Sequence, residues 1–283
     1  MSIHNQNLDF DYLIIGHLAR DLTTEGVRLG GTASYASLTA GALGRHPAVV
    51  SSFEPRLDLS PLYGIAIHNI PANATTTFQN IYAPAGRIQM LLDCAEPLTT
   101  ESIPPAWKNI PLVHIGPISN MVSPDLLHSF PDSWIGLTPQ GWLRKIDSSG
   151  RVGVKSWQAI KDLVSEADAV VLSREDLKQN RDAEEELAKR SKILVITDAA
   201  NGAFLYHRNR RTHISAKVFD EVDPTGCGDI FAAVFFITLF ETQSPVTAAE
   251  TANSLAAAAV TRIGLASVPT AEEAARIRNE QQP

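Results

Sequence analysis

Residues 223–240 read DPTGCGDIFAAVFFITLF, and the character of the chain changes at Asp229. A turn containing Gly226 and Gly228 precedes an apolar helical run. Glycines permit backbone angles that point successive N–H groups at one anion, and a helix beginning there adds its positive end. An aspartate in that first turn can accept a hydroxyl proton while the amides hold a phosphoryl group. The local pattern fits an ordinary glycine-containing helix start equally well, so both interpretations stay open.

Short apolar runs alternate with segments of helical periodicity along the rest of the chain. Continuous apolar strands separated by helices are typical of a parallel sheet that is covered on both faces. We therefore predict an α/β fold with a mainly parallel central sheet. The predicted strands are residues 12–15, 48–51, 112–115, 134–137, 169–172 and 193–197, and the predicted helices are 156–166, 183–190, 226–241 and 246–263.

The segment 74–93 breaks this alternation. Threonine, aromatic and branched residues surround the sequence Pro84-Ala85-Gly86, which predicts a β-hairpin with one polar face. The extended stretch 21–29 is expected to pair with this hairpin. A small antiparallel sheet beside a parallel one is suited to form a lid over a site.

Composition narrows the classes of protein and of site. The 283 residues include 24 basic and 31 acidic side chains, which give a formal net charge of −7, and 44% are hydrophobic. An acidic balance without a basic stripe argues against nucleic acid or an anionic membrane as a main partner. Neither a secretory signal nor a membrane-spanning run is recognisable. The two distant cysteines, Cys94 and Cys227, predict no disulfide framework or zinc site and agree with a cytoplasmic protein.

Residues 223–229 resemble the D-T-T-G-A-G-D signature of the PfkB (ribokinase-like) family of carbohydrate kinases, with Pro224 and Cys227 as departures. Residues 30–44, GGTASYASLTAGALG, are similar to the amino-terminal G-G-x-x-x-N…A-x-x-L-x-x-L-G stretch of that family. The resemblance extends over most of the chain. It implies a ribokinase-like three-layer sandwich. It also implies one kinase domain over residues 1–283, with lid segments at about 19–30 and 72–94.

The resemblance further implies roles in phosphoryl transfer. Asp229 would be the catalytic base, and the backbone of residues 226–229 would form the anion hole. The segment from Thr197 to Gly202 lies where the family has V-T-x-G-x-x-G, although Ala199 replaces the first glycine. The implied catalytic set is Gly226, Cys227, Gly228 and Asp229, and the implied ATP contacts are Ser173, Thr197, Gly202, Gly226, Gly228 and Asn253.

Metal sites are implied in the same way. Ser173-x-x-Asp176 stands where the family has N-x-x-E. Glu175 or Asp176 would organise Mg²⁺ through water. Asp223 would contribute to a monovalent-cation site beside the nucleotide, with K⁺ as the expected ion.

The acceptor site is predicted from one match and one departure. Asp21 matches the aspartate that grips substrate hydroxyls in this family. Tyr35 stands where the family has asparagine, and an aromatic there is similar to the myo-inositol kinase branch. Its flat face suits the C–H face of a six-membered ring, although packing under the lid is left open. The implied substrate contacts are Asp21, Gly30, Gly31, Tyr35, Asn80, Arg87, Gln89, Gln140 and Arg144, of which Gln140 and Arg144 fit a loop surface equally well.

These observations together predict an ATP-dependent kinase that phosphorylates a hydroxyl of a small sugar or polyol. A cyclitol such as myo-inositol is favoured as acceptor. A nucleoside kinase is one alternative, and a catalytically inactive ligand-binding regulator of the same fold is another. The expected partners are the small-molecule acceptor and ATP, with Mg²⁺ and K⁺ as cofactors. Since lid-mediated dimers occur in this family, a homodimer is left open.

Overall fold

The computed structural model describes residues 10–83 and 86–280. Within these ranges no helix is both long enough and apolar enough to cross a membrane. The strands are β1 (Tyr12–Ile15), β2 (Ala19–Thr23), β3 (Gly26–Gly30), β4 (Pro47–Phe53), β5 (Ala66–Pro71), β6 (Thr76–Ala83), β7 (Gly86–Asp93), β8 (Leu112–Ile115), β9 (Trp134–Leu137), β10 (Arg144–Ile146), β11 (Val152–Val154), β12 (Ala169–Ser173), β13 (Ile193–Thr197), β14 (Ala203–His207) and β15 (Arg210–Ile214). The α-helices are α1 (Thr32–Ala42), α2 (Gln140–Leu143), α3 (Arg181–Arg190), α4 (Cys227–Thr242), α5 (Pro245–Ala259) and α6 (Ala271–Glu280).

The main sheet has nine strands in the order β15-β14-β13-β12-β9-β8-β1-β4-β5. Its strands pair in parallel except at one edge, where β13, β14 and β15 are antiparallel. Alternate residues of β1 enter different cores: Tyr12 and Ile14 pack with α1, α4 and α5, whereas Leu13 and Ile15 pack on the opposite face. Every residue of β1 is buried, as expected for a strand covered on both faces. The predicted three-layer α/β fold is confirmed.

A second sheet of four strands has the order β3-β2-β6-β7. The predicted hairpin is present as β6 and β7, which pair antiparallel, while residues 84–85 of its turn lie outside the described residues. The stretch 21–29 differs from the prediction, because it is not one extended segment. It reverses at Thr24 and Glu25, so β2 and β3 pair with each other and only β2 pairs with β6.

The predicted helix 156–166 is wrong. The segment forms two short 3₁₀ turns, Trp157–Ala159 and Leu163–Ser165. Its apolar spacing did identify buried side chains, since Ile160 and Val164 are both fully buried. A helix this short gains little from its own hydrogen bonds, so packing of these two side chains decides the backbone.

Helix α5 also ends earlier than predicted, at Ala259 instead of residue 263. The carbonyl of Val260 accepts hydrogen bonds from the amides of Val222 and Asp223, at 2.8 and 3.0 Å. The end of α5 is therefore tied to the loop that precedes α4.

Candidate active site

A cavity of about 370 Å³ lies between the four-stranded sheet and the carboxyl ends of the main-sheet strands. Strands β12 and β13 end at Ser173 and Thr197, and both residues line it. The carboxyl ends of parallel strands are where α/β folds place their ligands. The predicted site residues that line the cavity are Asp21, Gly31, Tyr35, Asn80, Gln89, Gln140, Arg144, Ser173, Glu175, Thr197, Gly202, Gly226, Cys227, Gly228, Asp229 and Asn253.

Three predicted residues, Gly30, Asp176 and Asp223, do not line this cavity. The side chain of Arg87 lies outside the described part of the structure. Most of the predicted site residues therefore lie around one cavity.

The glycine-rich loop before α4 has the geometry of an anion site. Gly226 caps the helix with a left-handed backbone, φ 82° and ψ −10°. The first turn of a helix leaves backbone N–H groups without intrahelical partners, and Gly228 and Asp229 of this first turn line the cavity. A Cβ at Gly226 would lie 2.2 Å from Cε1 of Tyr35, so the tyrosine ring packs directly against the loop.

The expectation that Gly228 adopts a backbone conformation reserved for glycine is wrong. Of the two glycines only Gly226 has a positive φ, and Gly228 lies inside the first turn of α4. A Cβ at Gly228 would meet no atom within 4 Å among the described residues. The two glycines therefore differ. Gly226 is needed for its backbone conformation, and Gly228 leaves open space in front of the loop.

Asp229 is the acidic residue of the first turn of α4 and faces the cavity. Its Oδ1 accepts a hydrogen bond of 2.6 Å from Oγ1 of Thr32. Burial raises the pKa of Asp229 to about 6, while the Thr32 hydrogen bond and the charge of Arg144 act in the opposite direction. A carboxylate with a pKa near 6 is ionised at neutral pH and is a stronger base than an ordinary aspartate.

Asp21 lies on β2 and faces the same cavity from the four-stranded sheet. Burial raises the pKa of Asp21 to about 6, and the positive charge of Arg144 opposes this rise. A Cβ at Gly30 would lie only 2.0 Å from Oδ2 of Asp21. Gly30 therefore acts by leaving room for the Asp21 carboxylate, which explains why it does not itself line the cavity.

Substituting Gly30 by alanine is expected to raise KM for the acceptor about 10- to 100-fold with a smaller change in kcat. The added methyl group displaces the Asp21 carboxylate, and one hydrogen bond to a charged group contributes about 1.5–3 kcal/mol. Steady-state kinetics of purified Gly30→Ala measures this. Gly41→Ala on α1 is the matched control, since a Cβ there meets nothing within 4 Å. An unchanged KM in Gly30→Ala would show that Asp21 does not hold the acceptor.

Arg144 connects the two sheets at the cavity. Its Nη1 donates a hydrogen bond of 2.6 Å to the carbonyl of Ile118, and its guanidinium lies 5.0 Å from the ring centre of Phe78 on β6. Its charge lowers the pKa of both Asp21 and Asp229. Of the two locations left open by the sequence, Arg144 occupies the cavity and not a loop surface.

Asp176 is held by a local hydrogen-bond network. Its Oδ2 accepts from the backbone N–H of Ser173 at 3.0 Å, and its Oδ1 accepts from Nε2 of Gln140 at 3.2 Å. Glu175 lines the cavity instead. Mg²⁺ in kinases keeps several waters and needs only one or two carboxylates beside the substrate phosphates, and Glu175 fits that requirement. No cluster of three or more metal-ligating side chains occurs among the residues that the structure describes.

Asp223 has a structural role in the loop before α4. Its Oδ1 accepts from the amide of Thr225 at 2.9 Å, and its Oδ2 accepts from the amide of Gly264 at 3.1 Å. Nη1 of Arg28 lies 3.9 Å from the same carboxylate. Because two amide donors and the Arg28 guanidinium face the oxygens of this carboxylate, Asp223 does not fit a monovalent cation, and we derive no step through K⁺.

The far end of the cavity has the predicted nucleotide contacts. Asn253 is buried and donates from Nδ2 to the carbonyl of Ser215 at 2.7 Å. A Cβ at Gly202 would lie 2.0 Å from the carbonyl oxygen of Ile214, so only glycine allows this turn to lie against β15. Ala199 has a positive φ of 47°, which means that the backbone keeps a glycine-type conformation where the family motif has glycine.

Comparisons with known proteins identify a similar family and similar folds. Residues 152–272 match the family described as pfkB family carbohydrate kinase. The resemblance to PfkB kinases is confirmed. Inositol 3-kinase of Zea mays is 35% identical over 85 residues, which are 30% of this chain and 22% of the maize protein. The match thus spans about a fifth of the length of that curated relative.

Two solved structures resemble the whole described fold. A pyrophosphate-dependent kinase in the ribokinase family, complexed with a pyrophosphate analog and myo-inositol, is 20% identical, covers 89% of this chain and 96% of its own, and has a TM-score of 0.76. A pyrophosphate-dependent myo-inositol-1 kinase, converted by two substitutions into a myo-inositol-3 kinase, is 19% identical, covers 95% and 99%, and has a TM-score of 0.78. The fold is therefore ribokinase-like.

Sequence reasoning missed some residues of the site. Thr32 directly follows the Gly30-Gly31 pair, and its hydroxyl was the available signal. Val218 and Phe219 also line the cavity. They lie in the loop just before residues 223–229, and two apolar side chains in a loop were the available signal. Phe78 and Ile118 also line the cavity, and nothing local to them predicts this.

Proposed function

We propose that this chain transfers the γ-phosphoryl group of ATP to a hydroxyl of a cyclitol such as myo-inositol. The observation that carries the proposal is one cavity that is lined by two partly buried carboxylates, Asp21 and Asp229, and by the first turn of α4. A base, a hydroxyl-binding group and an anion hole are the parts that phosphoryl transfer to an alcohol needs. The match to the pfkB family and the kinase neighbours support a phosphotransferase.

The acceptor side of the cavity favours a molecule with several hydroxyls. Asp21 accepts only, whereas Asn80 and Gln89 each offer donor and acceptor atoms and are joined by a hydrogen bond of 3.1 Å. Tyr35 lines the cavity, but it is nearly fully buried and packs against Gly226. The ring of Tyr35 supports the loop before α4. Its contact with the acceptor stays a prediction. The maize inositol kinase and the myo-inositol complex support a cyclitol.

In the proposed reaction the acceptor hydroxyl lies between Asp229 and the γ-phosphate. Asp229 accepts the proton as the oxygen attacks the γ-phosphorus, the bond from that phosphorus to the β,γ-bridging oxygen breaks, and ADP leaves. The amides at the start of α4 hold the phosphoryl group during the transfer. The positive charge of Arg144 favours the ionised forms of Asp21 and Asp229. Mg²⁺, bound with the nucleotide, supplies neutralisation of phosphate charge, and Glu175 is the carboxylate we propose to hold it.

The side chains that line the cavity near Asn253 favour ATP over pyrophosphate as the phosphoryl donor. Beyond Asn253 the walls are formed by Ala256, Val260, Val218 and Phe219. Val218 is 81% exposed and Phe219 40% exposed, so two neighbouring apolar side chains are left uncovered at the mouth. A purine ring would cover them, whereas a pyrophosphate needs only the loop before α4. We therefore propose a nucleoside triphosphate as donor, although both structural relatives are pyrophosphate-dependent.

The four-stranded sheet is proposed to act as the lid of one kinase domain. Asp21, Phe78, Asn80 and Gln89 reach the cavity from this sheet, so its movement onto the acceptor would exclude water from the γ-phosphate. A cytoplasmic location and a homodimer stay predictions from the amino-acid sequence.

A matrix of donors and acceptors tests the proposal. The donors are ATP and pyrophosphate, and the acceptors are myo-inositol, ribose, adenosine and water alone. We expect kcat/KM to be highest for ATP with myo-inositol, by several orders of magnitude over ribose, since a site built to pair hydroxyls rejects ligands that leave its polar groups unpaired. Robust ribose or adenosine phosphorylation with inert inositols would overturn the acceptor. Turnover with pyrophosphate and none with ATP would overturn the donor.

A further inference from the structure

The hydrogen bond between Thr32 and Asp229 joins two helices that begin at the cavity. Thr32 is the first residue of α1, Asp229 lies in the first turn of α4, and Oγ1 of Thr32 is 2.6 Å from Oδ1 of Asp229. Thr32 is only 4% exposed, so water does not compete freely for this bond. Oδ2 of Asp229 accepts no hydrogen bond from the described residues. The two carboxylate oxygens are thus in different environments.

The methyl group of Thr32 is fixed by its packing. A Cβ added to Gly116, just beyond β8, would lie 2.7 Å from Cγ2 of Thr32, so the threonine methyl occupies the space that this glycine leaves open. A β-branched side chain has few χ1 rotamers, and fixing the methyl also fixes the hydroxyl. The backbone before Thr32 is equally restricted, because a Cβ at Gly31 would lie 2.5 Å from the carbonyl oxygen of His17.

We propose that Thr32 is a positioning residue: it holds Oδ1 of Asp229 so that Oδ2 of the ionised carboxylate is presented to the acceptor hydroxyl. The inference rests on the proposed function, because Asp229 needs such positioning only if it acts as the base. Without the Thr32 hydroxyl the Asp229 carboxylate is free to rotate about χ2. The ionised carboxylate also loses the hydrogen bond that stabilises its negative charge.

The electrostatic surroundings make this hydrogen bond important. Burial and the negative charges of Asp21 and Asp176 favour the protonated form of Asp229, and only Thr32 and Arg144 oppose them. The remaining ionisable groups that interact with Asp229 stay neutral at pH 7, because burial raises the pKa of each. They are Tyr12, Tyr35 and Cys227, and the pKa of Cys227 is raised to about 12.

The predicted consequence is a change in pH dependence. Asp229 accepts a proton only when it is ionised, so activity falls as the pH drops through its pKa of about 6. Thr32→Val keeps the shape of the side chain and removes the donor. We expect the acidic limb of the kcat profile to move upward by about one to two pH units, since a hydrogen bond to a charged group is worth that much. At pH 6 the loss in kcat should be about 5- to 50-fold for a shift of one to two pH units, and at pH 8.5 it should be smaller, with KM for the acceptor little changed.

The experiment follows both the carboxylate and the reaction. The pKa of Asp229 is measured by ¹³C NMR of carboxyl-labelled aspartate in the acceptor-free protein, with Asp229→Asn assigning the signal, and kcat is measured from pH 5 to 9. Thr32→Ser should restore both values, and Thr32→Ala repeats the test if Thr32→Val does not fold. Thr39→Val is the matched control, because Thr39 is a fully buried threonine of the same helix whose hydroxyl has no partner among the described residues.

Each outcome decides between the hypotheses. An Asp229 pKa that is the same in Thr32→Val and the unchanged protein would overturn the inference, as would equal effects of Thr32→Val and Thr39→Val on the pH profile. A raised pKa in a protein that phosphorylates no acceptor would keep the contact but remove the proposed function, and the catalytic role of Thr32 would fall with it.

Discussion

Replacing Asp229 by asparagine is expected to lower kcat by roughly 10²–10⁴-fold while ATP binding is retained, the usual range for loss of a general base. Asparagine preserves the size of the side chain and can still accept the Thr32 hydrogen bond, but it cannot accept the acceptor proton. Single-turnover rates and nucleotide titration measure the two quantities separately. Asp132→Asn, on an exposed loop position, is the matched control. Near-normal turnover in Asp229→Asn would remove the assignment of the base.

The same substitution is expected to stabilise the ligand-free protein at neutral and alkaline pH. Since the pKa of Asp229 is about 6 in the folded state and near 4 in the unfolded chain, the folded state binds the proton more tightly. Stability is therefore lost as the pH rises through this interval, and asparagine removes that loss. The gain at pH 8 has an upper limit of about 3 kcal/mol, because two pKa units correspond to that free energy. Urea unfolding at pH 8 and pH 4 measures it, and no difference should remain at pH 4.

The sequence predicted the main sheet well because its strands are buried on both faces. Strands such as Tyr12–Ile15 and the first four residues of β12 are uninterrupted apolar runs, and such runs have few alternatives in a chain that also contains helices. The segment 156–166 shows the limit of the same reasoning. Its periodicity correctly marked Ile160 and Val164 as buried, but the backbone there depends on packing between distant segments.

The candidate site was predictable where chemistry is local and unpredictable where it depends on distant contacts. The Gly226–Asp229 turn is contiguous in sequence, so a glycine-containing turn at the start of a helix could be predicted from local properties. Asp223 was expected beside a cation, but one of its oxygens accepts from the nearby amide of Thr225 and the other accepts from the amide of Gly264, 41 residues away. The Thr32–Asp229 bond spans 197 residues, and no local pattern encodes it.

The two glycines of the loop also separate a structural role from a functional one. Gly226 has φ 82°, and a Cβ there would overlap the ring of Tyr35, so its replacement is expected to disturb folding of the loop itself. Gly228 has neither restriction. A substitution at position 228 is therefore expected to interfere with the bound phosphoryl group while the fold is retained.

Gly228→Val is accordingly expected to fold, to bind the acceptor and to lose phosphoryl transfer by about 10²–10³-fold or more, the scale on which anion-stabilising donors contribute to catalysis. A valine Cβ meets no protein atom within 4 Å, so its two methyl groups project into the space in front of the loop where the phosphoryl group must lie. Circular dichroism and thermal unfolding check the fold, acceptor titration checks binding, and transfer is followed with labelled ATP. Gly41→Val is the matched control, because it places the same side chain on an exposed helical position with nothing within 4 Å. If Gly228→Val transfers phosphate as fast as Gly41→Val, the loop before α4 is only the start of a helix, and the phosphoryl group is bound elsewhere.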